Sequence, residues 1–530
     1  WAASGDVTAE ELKAQGMETQ IVEGLQPNTD PGLDASFLNE YILDRETVDL
    51  TGNKNWQDFH NVFGFRPDTL TLTLYRFAAS QPGQDNAIAE EPVALSEDML
   101  QWEIPAEGNT WTYTITGLER HAPNGMPWQY RIRETLPTYY TSGASAGQDR
   151  VDASGNIQMR PLTNNIQSVC SFQKAWIDAN GNPITQDYLG GVTLAVTFGL
   201  QVRTKNTGAA WVDAQTYFQD ALTAADWDDL FPSGPSGFTQ TISGTILDPI
   251  WKTTQYFRSL PTYIRDRNGN VLSLEYRAVE KTICIYQVGE AETPLLTQTF
   301  TVQEESGDRF SYSSTPGPFS PWYGQEADSR LSSAVVHYNL LQTTDLIVEK
   351  VWANDSGNQY GTRPAADRLN YDWKTSFIIQ RSTDGISWEN VTDSDGTPYT
   401  VTLYGIEAQN HVTATVESLP ALSFAVDEDG SPLFYQYRVR ELDTDATGTV
   451  VEEGEAFNTA YRVSYAVEGN THTATNTLET RIFTATKRWT GATSASFPSV
   501  KLELKYLAAD GVTWQSFIPA AVVTLDGKAD

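Results

Sequence analysis

The sequence predicts an all-β protein built as a tandem series of β-sandwich domains. Runs that alternate apolar with polar residues, the period of half-buried strands, recur along the chain, as in TLTLYRF (71–77), TWTYTITGL (110–118), VTLAVTFGL (192–200) and YQYRVRE (435–441). Turn-forming sequences such as Asn124-Gly125 and DEDG at 427–430 stand between such runs. A chain of 530 residues is also long for a single core, because domains average roughly 150 residues.

Charge and composition exclude several kinds of partner. Lys and Arg number 35 against 68 Asp and Glu, and the net charge of −33 repels nucleic acid and anionic lipid. No stretch approaches the roughly 20 consecutive apolar residues of a membrane-spanning helix. The chain begins at Trp1 without a signal-like segment. We therefore expect no nucleic-acid partner and no membrane insertion in this chain.

Three motifs recur in the same order. The first is Lys-x-Trp, at 54–56, 174–176, 350–352 and 487–489. The second is Tyr-Arg-x-x-Glu, at 130–134, 276–280 and 437–441. The third is an asparagine followed two places later by Ile or Leu, at Asn164, Asn339 and Asn476. Such ordered recurrence is typical of repeated domains.

The motifs divide the chain into domains at 47–168, 169–343 and 344–480. Residues 481–530 contain Lys-x-Trp alone, whereas residues 1–46 contain Glu23 in QIVEG and Asn39 in LNEY without a preceding Lys-x-Trp. We interpret 1–46 as the C-terminal half of a domain and 481–530 as the N-terminal half of another. Neighbouring copies or repeats would then join end to end, either within one longer polypeptide, which we favour, or by complementation between subunits. The alternative is a fragment whose ends match only because all units are related.

The repeated Lys, Glu and Asn suggest a reaction. Residues two apart in a strand share a face, so each Lys points to the same apolar side as its Trp. Burial lowers the pKa of an amine and raises that of a carboxylic acid. A neutral amine can attack the Asn carboxamide while a protonated Glu stabilises it and relays protons to the departing ammonia. The expected sets are Lys54, Glu134 and Asn164; Lys174, Glu280 and Asn339; Lys350, Glu441 and Asn476; and, across the junction, Lys487, Glu23 and Asn39.

These residues also have a purely structural interpretation. Each Lys and Glu could be a partly buried ion pair, with the Asn as a turn residue. A turnover enzyme is not expected, because each proposed Glu acts once, on its own domain. The Asp-rich segments and the five scattered histidines lack the spacing of calcium or zinc sites, so we expect no metal and no cofactor.

These residues resemble Cna protein B-type domains of Gram-positive surface proteins and pilins. The likeness extends to Arg66-Pro67 and Arg363-Pro364 after Lys-x-Trp, and it covers nearly the whole chain. It implies inverse immunoglobulin-like (inverse IgG) sandwiches in an elongated array, each closed by a self-catalysed Lys–Asn isopeptide bond. The domain at 169–343 lacks the Arg-Pro pair and separates its Lys and Glu by 106 residues, against 80 and 91 in the others.

The resemblance implies a function outside the cell. We expect a structural stalk or filament shaft, such as a pilus, on the surface of a Gram-positive bacterium. The alternative is an adhesin that binds a host glycan or protein through two inserts in the domain at 169–343. Residues 204–240 have helix-like apolar spacing, and residues 288–330 read as an aromatic loop. Packing of these inserts against a neighbouring domain is the simpler expectation.

The two cysteines belong to the same domain. Cys170 lies four residues before Lys174, and Cys284 lies four after Glu280. If those two strands were antiparallel neighbours with Lys174 opposite Glu280, the sulfurs would face each other and form a disulfide. The alternative is a pair of buried free thiols.

Overall fold

The computed structural model describes residues 47–526 except for short internal stretches at 145–146, 154, 232–236, 291, 307–308, 315–316, 324–334, 359, 394, 444–447, 491–496 and 509–510. Most of the described residues lie in β-strands, which confirms the expected all-β class. No helix in this part of the chain is both long and apolar enough to span a bilayer.

The described residues of the first domain form ten strands: β1 (Thr47–Gln57), β2 (Leu72–Ala78), β3 (Ile88–Val93), β4 (Leu100–Glu103), β5 (Thr110–Glu119), β6 (Gln129–Glu134), β7 (Thr141–Ser142), β8 (Arg150–Val151), β9 (Ile157–Gln158) and β10 (Leu162–Asn165). One sheet has the order β4-β5-β1-β10-β7, with β9 beside β1 and β8 beside β9, and the facing sheet has the order β3-β2-β6. Every second residue of β1 is buried, which turns Lys54 and Trp56 inward.

The second domain contains eleven strands and two short helices in the described residues: β11 (Gln167–Ile177), β12 (Val192–Thr204), β13 (Val212–Asp213), α1 (Ala214–Ala221), α2 (Ala224–Leu230), β14 (Thr239–Gly244), β15 (Gln255–Pro261), β16 (Tyr263–Arg265), β17 (Val271–Gln287), β18 (Leu296–Ser306), β19 (Arg309–Ser314), β20 (Phe319–Tyr323) and β21 (Val335–Leu341). Its two sheets have the orders β15-β11-β21-β20 and β13-β12-β17-β18-β19, with β14 beside β12 and β16 beside β17.

The third domain repeats the plan: β22 (Thr343–Ala353), β23 (Trp373–Ser382), β24 (Glu389–Asn390), β25 (Thr400–Gly405), β26 (His411–Pro420), β27 (Leu422–Val426), β28 (Pro432–Phe434), β29 (Gln436–Leu442), β30 (Val450–Val451), β31 (Tyr461–Glu468) and β32 (Thr471–Leu478). Its sheets have the orders β26-β22-β32-β31 and β24-β23-β29-β30, with β25 beside β23 and a separate β27-β28 hairpin. A final antiparallel pair, β33 (Val500–Leu507) and β34 (Trp514–Leu525), follows it.

Consecutive domains are joined by single residues. Ile166 alone separates β10 from β11, and Gln342 alone separates β21 from β22. Ile166 is 2% exposed, so the first joint is itself part of the apolar core. The apolar residue two places after Asn164 therefore serves as the link between two sandwiches.

Side chains also cross both joints. Arg265 of the second domain donates from Nε to the carbonyl of Phe63 at 3.1 Å. At the other joint, Tyr188 of the second domain is buried within the apolar cluster of the third domain. Arg381 of the third domain donates to the Tyr188 carbonyl at 3.0 Å. Each domain is therefore held to the next by packing as well as by the chain.

Candidate functional site between the terminal strands

The first and last strands of each of the three domains run parallel as direct neighbours. Trp56 pairs with Asn164, Trp176 with Asn339 and Trp352 with Asn476. The Lys two residues before each Trp thus lies diagonally across from the Asn, a separation of about 7–8 Å between backbones that a lysine side chain can span. All three lysines are at most 2% exposed, which directs them into the sandwich.

The glutamate reaches the same point from the facing sheet. In the first domain, Lys54 Nζ lies 2.7 Å from Glu134 Oε2. Asn164 donates from Nδ2 to the other carboxylate oxygen, Glu134 Oε1. Burial lowers the pKa of Lys54 to about 8, and the contact with Glu134 opposes this shift. A single carboxylate therefore contacts both the amine and the carboxamide nitrogen.

The third domain buries its ion pair completely. Lys350 Nζ lies 2.9 Å and 3.1 Å from the two carboxylate oxygens of Glu441, and both side chains are fully buried. Thr375 donates its hydroxyl hydrogen to Glu441 Oε1. Burial lowers the pKa of Lys350 to about 8, against the attraction of Glu441. Both polar atoms of the Asn476 side chain lack a hydrogen-bond partner among the described residues, although the residue is fully buried.

The second domain holds its three residues less tightly. Within the described chain, Lys174 makes no ion pair with Glu280 and instead donates to the carbonyl of Ala175 at 2.9 Å. Burial lowers the pKa of Lys174 to about 7, opposed by the charge of Glu280. Burial likewise raises the pKa of Glu280 to about 7, opposed by Lys174 and the nearby Asn339. The neutral amine of Lys174 and the neutral carboxylic acid of Glu280 are therefore both accessible near pH 7.

Each of these lysines also lies over the Trp of its own motif. The distance from Nζ to the ring centroid is 5.0 Å for Lys54, 3.7 Å for Lys174 and 4.4 Å for Lys350. The indole supplies part of the apolar surroundings that desolvate the amine, which explains why Lys and Trp recur together.

The fourth set is described only in part. Lys487 is exposed, 4.9 Å from the Trp489 ring centroid, and residues 481–490 lie outside any strand. Glu23 and Asn39 lie outside the described residues.

Part of the chain matches a known protein family. The family model described as Cna protein B-type domain matches residues 50–153. This stretch is similar to a Cna protein B-type domain. A curated relative, the collagen adhesin of Staphylococcus aureus, is 23% identical over 366 residues, or 63% of this chain, which spans only 27% of the adhesin.

Solved structures similar to this chain include adhesins and pilins. Two B repeat units of the collagen-binding protein of Staphylococcus aureus are 17% identical, cover 82% of this chain and 75% of their own, and have a TM-score of 0.16. The pilus adhesin SpaC of Lactobacillus rhamnosus GG is 12% identical over 82% of this chain and 44% of its own, with a TM-score of 0.22. A streptococcal ancillary pilin is 12% identical over 82% of this chain and 100% of its own, with a TM-score of 0.18.

A second buried cluster adjoins the site in two of the three domains, and sequence reasoning missed it. In the first domain, Arg66 and Tyr140 both bind the carboxylate of Asp58, at 2.6 Å and 2.8 Å. The third domain repeats this arrangement with Arg363, Asp355 and Tyr461, at 2.7 Å and 2.6 Å. Both arginines lie within 6 Å of the motif Trp ring, at 5.6 Å and 5.2 Å. The sequence signal that could have revealed this cluster is an Asp two or three residues after the motif Trp, at Asp58 and Asp355.

The corresponding Asp of the second domain has another role. Asp178 accepts backbone hydrogen bonds from Asn180 and Asn182 in a turn. It also accepts the hydroxyl hydrogen of Ser418, in the third domain, at 2.9 Å. Asp178 thus joins two domains, and this domain lacks the Arg-Pro pair present in the other two.

The structure contains no disulfide between Cys170 and Cys284; both are free thiols. The antiparallel pairing that a bridge required is absent, because β11 and β17 belong to different sheets. A register shift in the β12–β17 ladder falls between the pairs of Glu280 and Thr282 and reverses the alternation of sides. Ile283 and Ile285 are therefore buried, whereas Cys284 is turned away from the core and contacts Thr297.

The inserts of the second domain pack mainly within that domain. The first contains α1 and α2, and Phe218 on α1 is fully buried against Phe231 and Phe238. The second insert contributes strands β18, β19 and β20, so the expectation of a loop was wrong. Phe319 of this insert packs on Trp176, with ring centroids 5.1 Å apart. No cluster of three or more potential metal-binding side chains occurs in the described residues.

Proposed function

We propose that the chain is a structural stalk or filament shaft on the bacterial surface, and that each of its three described domains closes a Lys–Asn isopeptide bond unaided. The observation that carries this proposal is the contact of one buried carboxylate, Glu134, with both Lys54 Nζ and Asn164 Nδ2. Glu134 can therefore exchange protons both with Lys54 Nζ, which must lose one, and with Asn164 Nδ2, which must leave as ammonia.

The reaction proceeds by acyl transfer. The unprotonated Nζ attacks Cγ of the asparagine, a carbon–nitrogen bond forms, and the bond from Cγ to Nδ2 breaks. The protonated Glu stabilises the carboxamide and delivers its proton to Nδ2, the resulting carboxylate takes a proton from Nζ, and ammonia leaves. The shifted pKa of Lys54 makes the neutral amine far more abundant at neutral pH than for an exposed lysine. Glu134 is regenerated, but its only substrate has been consumed.

The proposed bond has a mechanical use. It would join the first and last strands of a domain, so that these strands could not separate when the chain is pulled from its ends. A shaft of such domains would keep its length under load. The net charge of −33 would keep neighbouring fibres apart and soluble. The matched relatives are named as a collagen adhesin and pilins, which favours an extracellular role on a Gram-positive surface.

Mass spectrometry tests the proposal directly. The intact chain should be lighter than its residue sum by one ammonia per bond, and digestion should release branched peptides joining Lys54 to Asn164, Lys174 to Asn339 and Lys350 to Asn476. Replacement Glu134→Gln should restore one ammonia and remove only the first branched peptide. Lys374→Ala, at a half-exposed lysine, is the matched control and should leave all three bonds. A mass equal to the residue sum refutes the proposal.

A groove on the first insert favours adhesion as a second candidate function. It encloses about 500 Å³ and is lined in part by Leu222, Trp227 and Arg267. An indole beside a guanidinium suits a sugar or a peptide ligand. Binding of the whole chain to arrays of host glycans and matrix proteins should be lost in Trp227→Ala. Unchanged binding, or none in the parent chain, counts against this role.

A further inference from the structure

The three tryptophans of the Lys-x-Trp motifs in the three domains each bury a hydrogen-bond donor. Trp56, Trp176 and Trp352 are at most 5% exposed, and among the described residues none of their Nε1 atoms has a hydrogen-bond partner. An unpaired N–H inside a protein destabilises the fold, and such groups are rare. Its recurrence at one position of all three domains indicates a partner that the site acquires only during its reaction.

The carboxamide oxygens of the three asparagines are unpaired acceptors. Asn164, Asn339 and Asn476 are fully buried, and Oδ1 of each lacks a hydrogen-bond partner in the part of the chain that the structure describes. In the first domain, Asn164 donates from Nδ2 to Glu134. Glu134 therefore contacts the nitrogen of this carboxamide, and the oxygen is left for another donor.

The sheet places each unpaired donor next to an unpaired acceptor. Each of these tryptophans is the direct partner of the Asn of its domain in the parallel pairing of the first and last strands. Neighbouring strands lie about 5 Å apart, and paired residues of parallel strands project on the same side of the sheet. The indole and the carboxamide therefore enter the core side by side in all three domains.

Formation of the isopeptide bond draws the two groups closer. The Lys Nζ lies between 3.7 and 5.0 Å from the centroid of the indole ring. The new amide bond is about 1.3 Å long, so the asparagine Cγ must move up to Nζ and thus to the border of the indole. At that moment Oδ1 becomes negatively charged, because the electron pair of the C=O bond moves onto it. A fixed N–H in a site without water stabilises this charged oxygen far more than the neutral carbonyl.

We infer that the indole N–H of the motif Trp is the hydrogen-bond donor for this oxyanion, which makes the Trp a further catalytic residue of the site. The inference rests on the proposed function. In the first domain, Lys54 Nζ bonds to Cγ of Asn164, and Oδ1 takes the electron pair and accepts the hydrogen bond from Trp56 Nε1. When the C=O bond re-forms, the bond to Nδ2 breaks and ammonia leaves with the proton that Glu134 delivers. Glu134 then takes a proton from Nζ, and the indole keeps its own proton throughout.

Trp128 provides a matched control within the same domain. It is 5% exposed, and its Nε1 also lacks a partner among the described residues. Its ring centroid lies 4.3 Å from Cζ of Arg76, and Trp128 belongs to neither of the two terminal strands. Trp56→Phe and Trp128→Phe each remove one buried indole N–H and keep an aromatic ring, so the two variants differ in the position of the loss.

The rate of bond formation separates the two variants. The full chain is made by cell-free synthesis, transferred to buffer and sampled over time, and mass spectrometry of the digests gives the fraction of the branched peptide joining Lys54 to Asn164. Trp56→Phe should lower this rate about 100-fold, as does removal of one oxyanion donor from an enzyme. Trp128→Phe should leave the rate unchanged. The branched peptide of Lys350 in the same molecules is the internal reference.

The pH dependence of this rate distinguishes the N–H from the rest of the ring. A smaller ring alone would let water reach Lys54 and raise the pKa of its amine, which would move the rate profile to higher pH and let the rate recover there. Loss of the oxyanion donor instead lowers the rate by the same factor at every pH. We expect this uniform loss for Trp56→Phe.

Two results would overturn the inference while the proposed function stands: equal rates in the two variants, and a deficit of Trp56→Phe that disappears at high pH. A parent chain without the branched peptide of Lys54 would overturn both. Trp352→Phe repeats the measurement in the third domain, with the branched peptide of Lys54 as the reference, so the test does not depend on the folding of one variant.

Discussion

Replacing Lys350 with methionine should reveal how much the proposed bond stabilises the third domain. Methionine fills a similar volume, can pack on Trp352 and removes the nucleophile without burying a new charge. Glu441 keeps its hydrogen bond from Thr375. The main loss in Lys350→Met is therefore the covalent tie between β22 and β32.

The size of the effect follows from the length of chain that the bond closes. Lys350 and Asn476 are 476 − 350 = 126 residues apart. A cross-link over a loop of this length lowers the entropy of the unfolded chain enough to stabilise the fold by about 5 kcal/mol in the chain-entropy description. For a domain of this size, such a loss corresponds to a fall in melting temperature of roughly 15–25 °C.

Differential scanning calorimetry of the full chain is the appropriate assay, because the first and second domains provide internal references. Their transitions should stay in place while that of the third domain moves down. The matched control is Glu441→Gln, which also blocks the bond. Adding Lys350→Met to Glu441→Gln should cause only a small further change, since the bond is already absent. A third-domain transition that shifts equally in both backgrounds, or does not shift in either, would refute the reasoning.

Three further outcomes are expected. When the chain is refolded from denaturant, the rate of bond formation at Lys174 should peak near pH 7, because the amine gains a proton below this pH and Glu280 loses one above it. Peptide mass spectrometry measures this rate, and a rate that rises steadily with pH would contradict the assigned roles. Asp355→Ala leaves the buried Arg363 without its carboxylate and should lower the free energy of unfolding in urea by about 3–5 kcal/mol, against roughly 1 kcal/mol for the milder Tyr461→Phe. Equal losses would show that the ion pair contributes little. Denatured, unreduced chain should titrate with two thiols per molecule, and fewer than two would reveal a disulfide.

Much of the fold could be predicted from local pattern. Strands such as β1 and β5 bury alternate residues, and this period is visible in the sequence because each strand has one face in the core. The Lys, Glu and Asn positions were visible for a different reason: three copies of one arrangement expose the residues that every copy keeps. Repetition thus identified side chains that lie up to 165 residues apart in one domain, as Lys174 and Asn339 do.

Other features depended on geometry that the pattern does not contain. The disulfide that we considered required the strands of Cys170 and Cys284 to be antiparallel neighbours, whereas β11 and β17 belong to different sheets. The aromatic second insert was read as a loop because its strands interrupt the alternation with prolines and serines. The cluster of Asp58, Arg66 and Tyr140 joins residues separated by 82 positions, and no single segment of sequence records that contact.

The single-residue joints set how the whole assembly would respond to tension. A strand that ends one domain continues almost at once into the strand that begins the next, so there is no slack to be drawn out before the load arrives. Only the two backbone torsions of Ile166 or Gln342 are available as a hinge. The three domains from β1 to β32 should therefore transmit displacement promptly to one another and behave as a stiff tether rather than as beads on a flexible string.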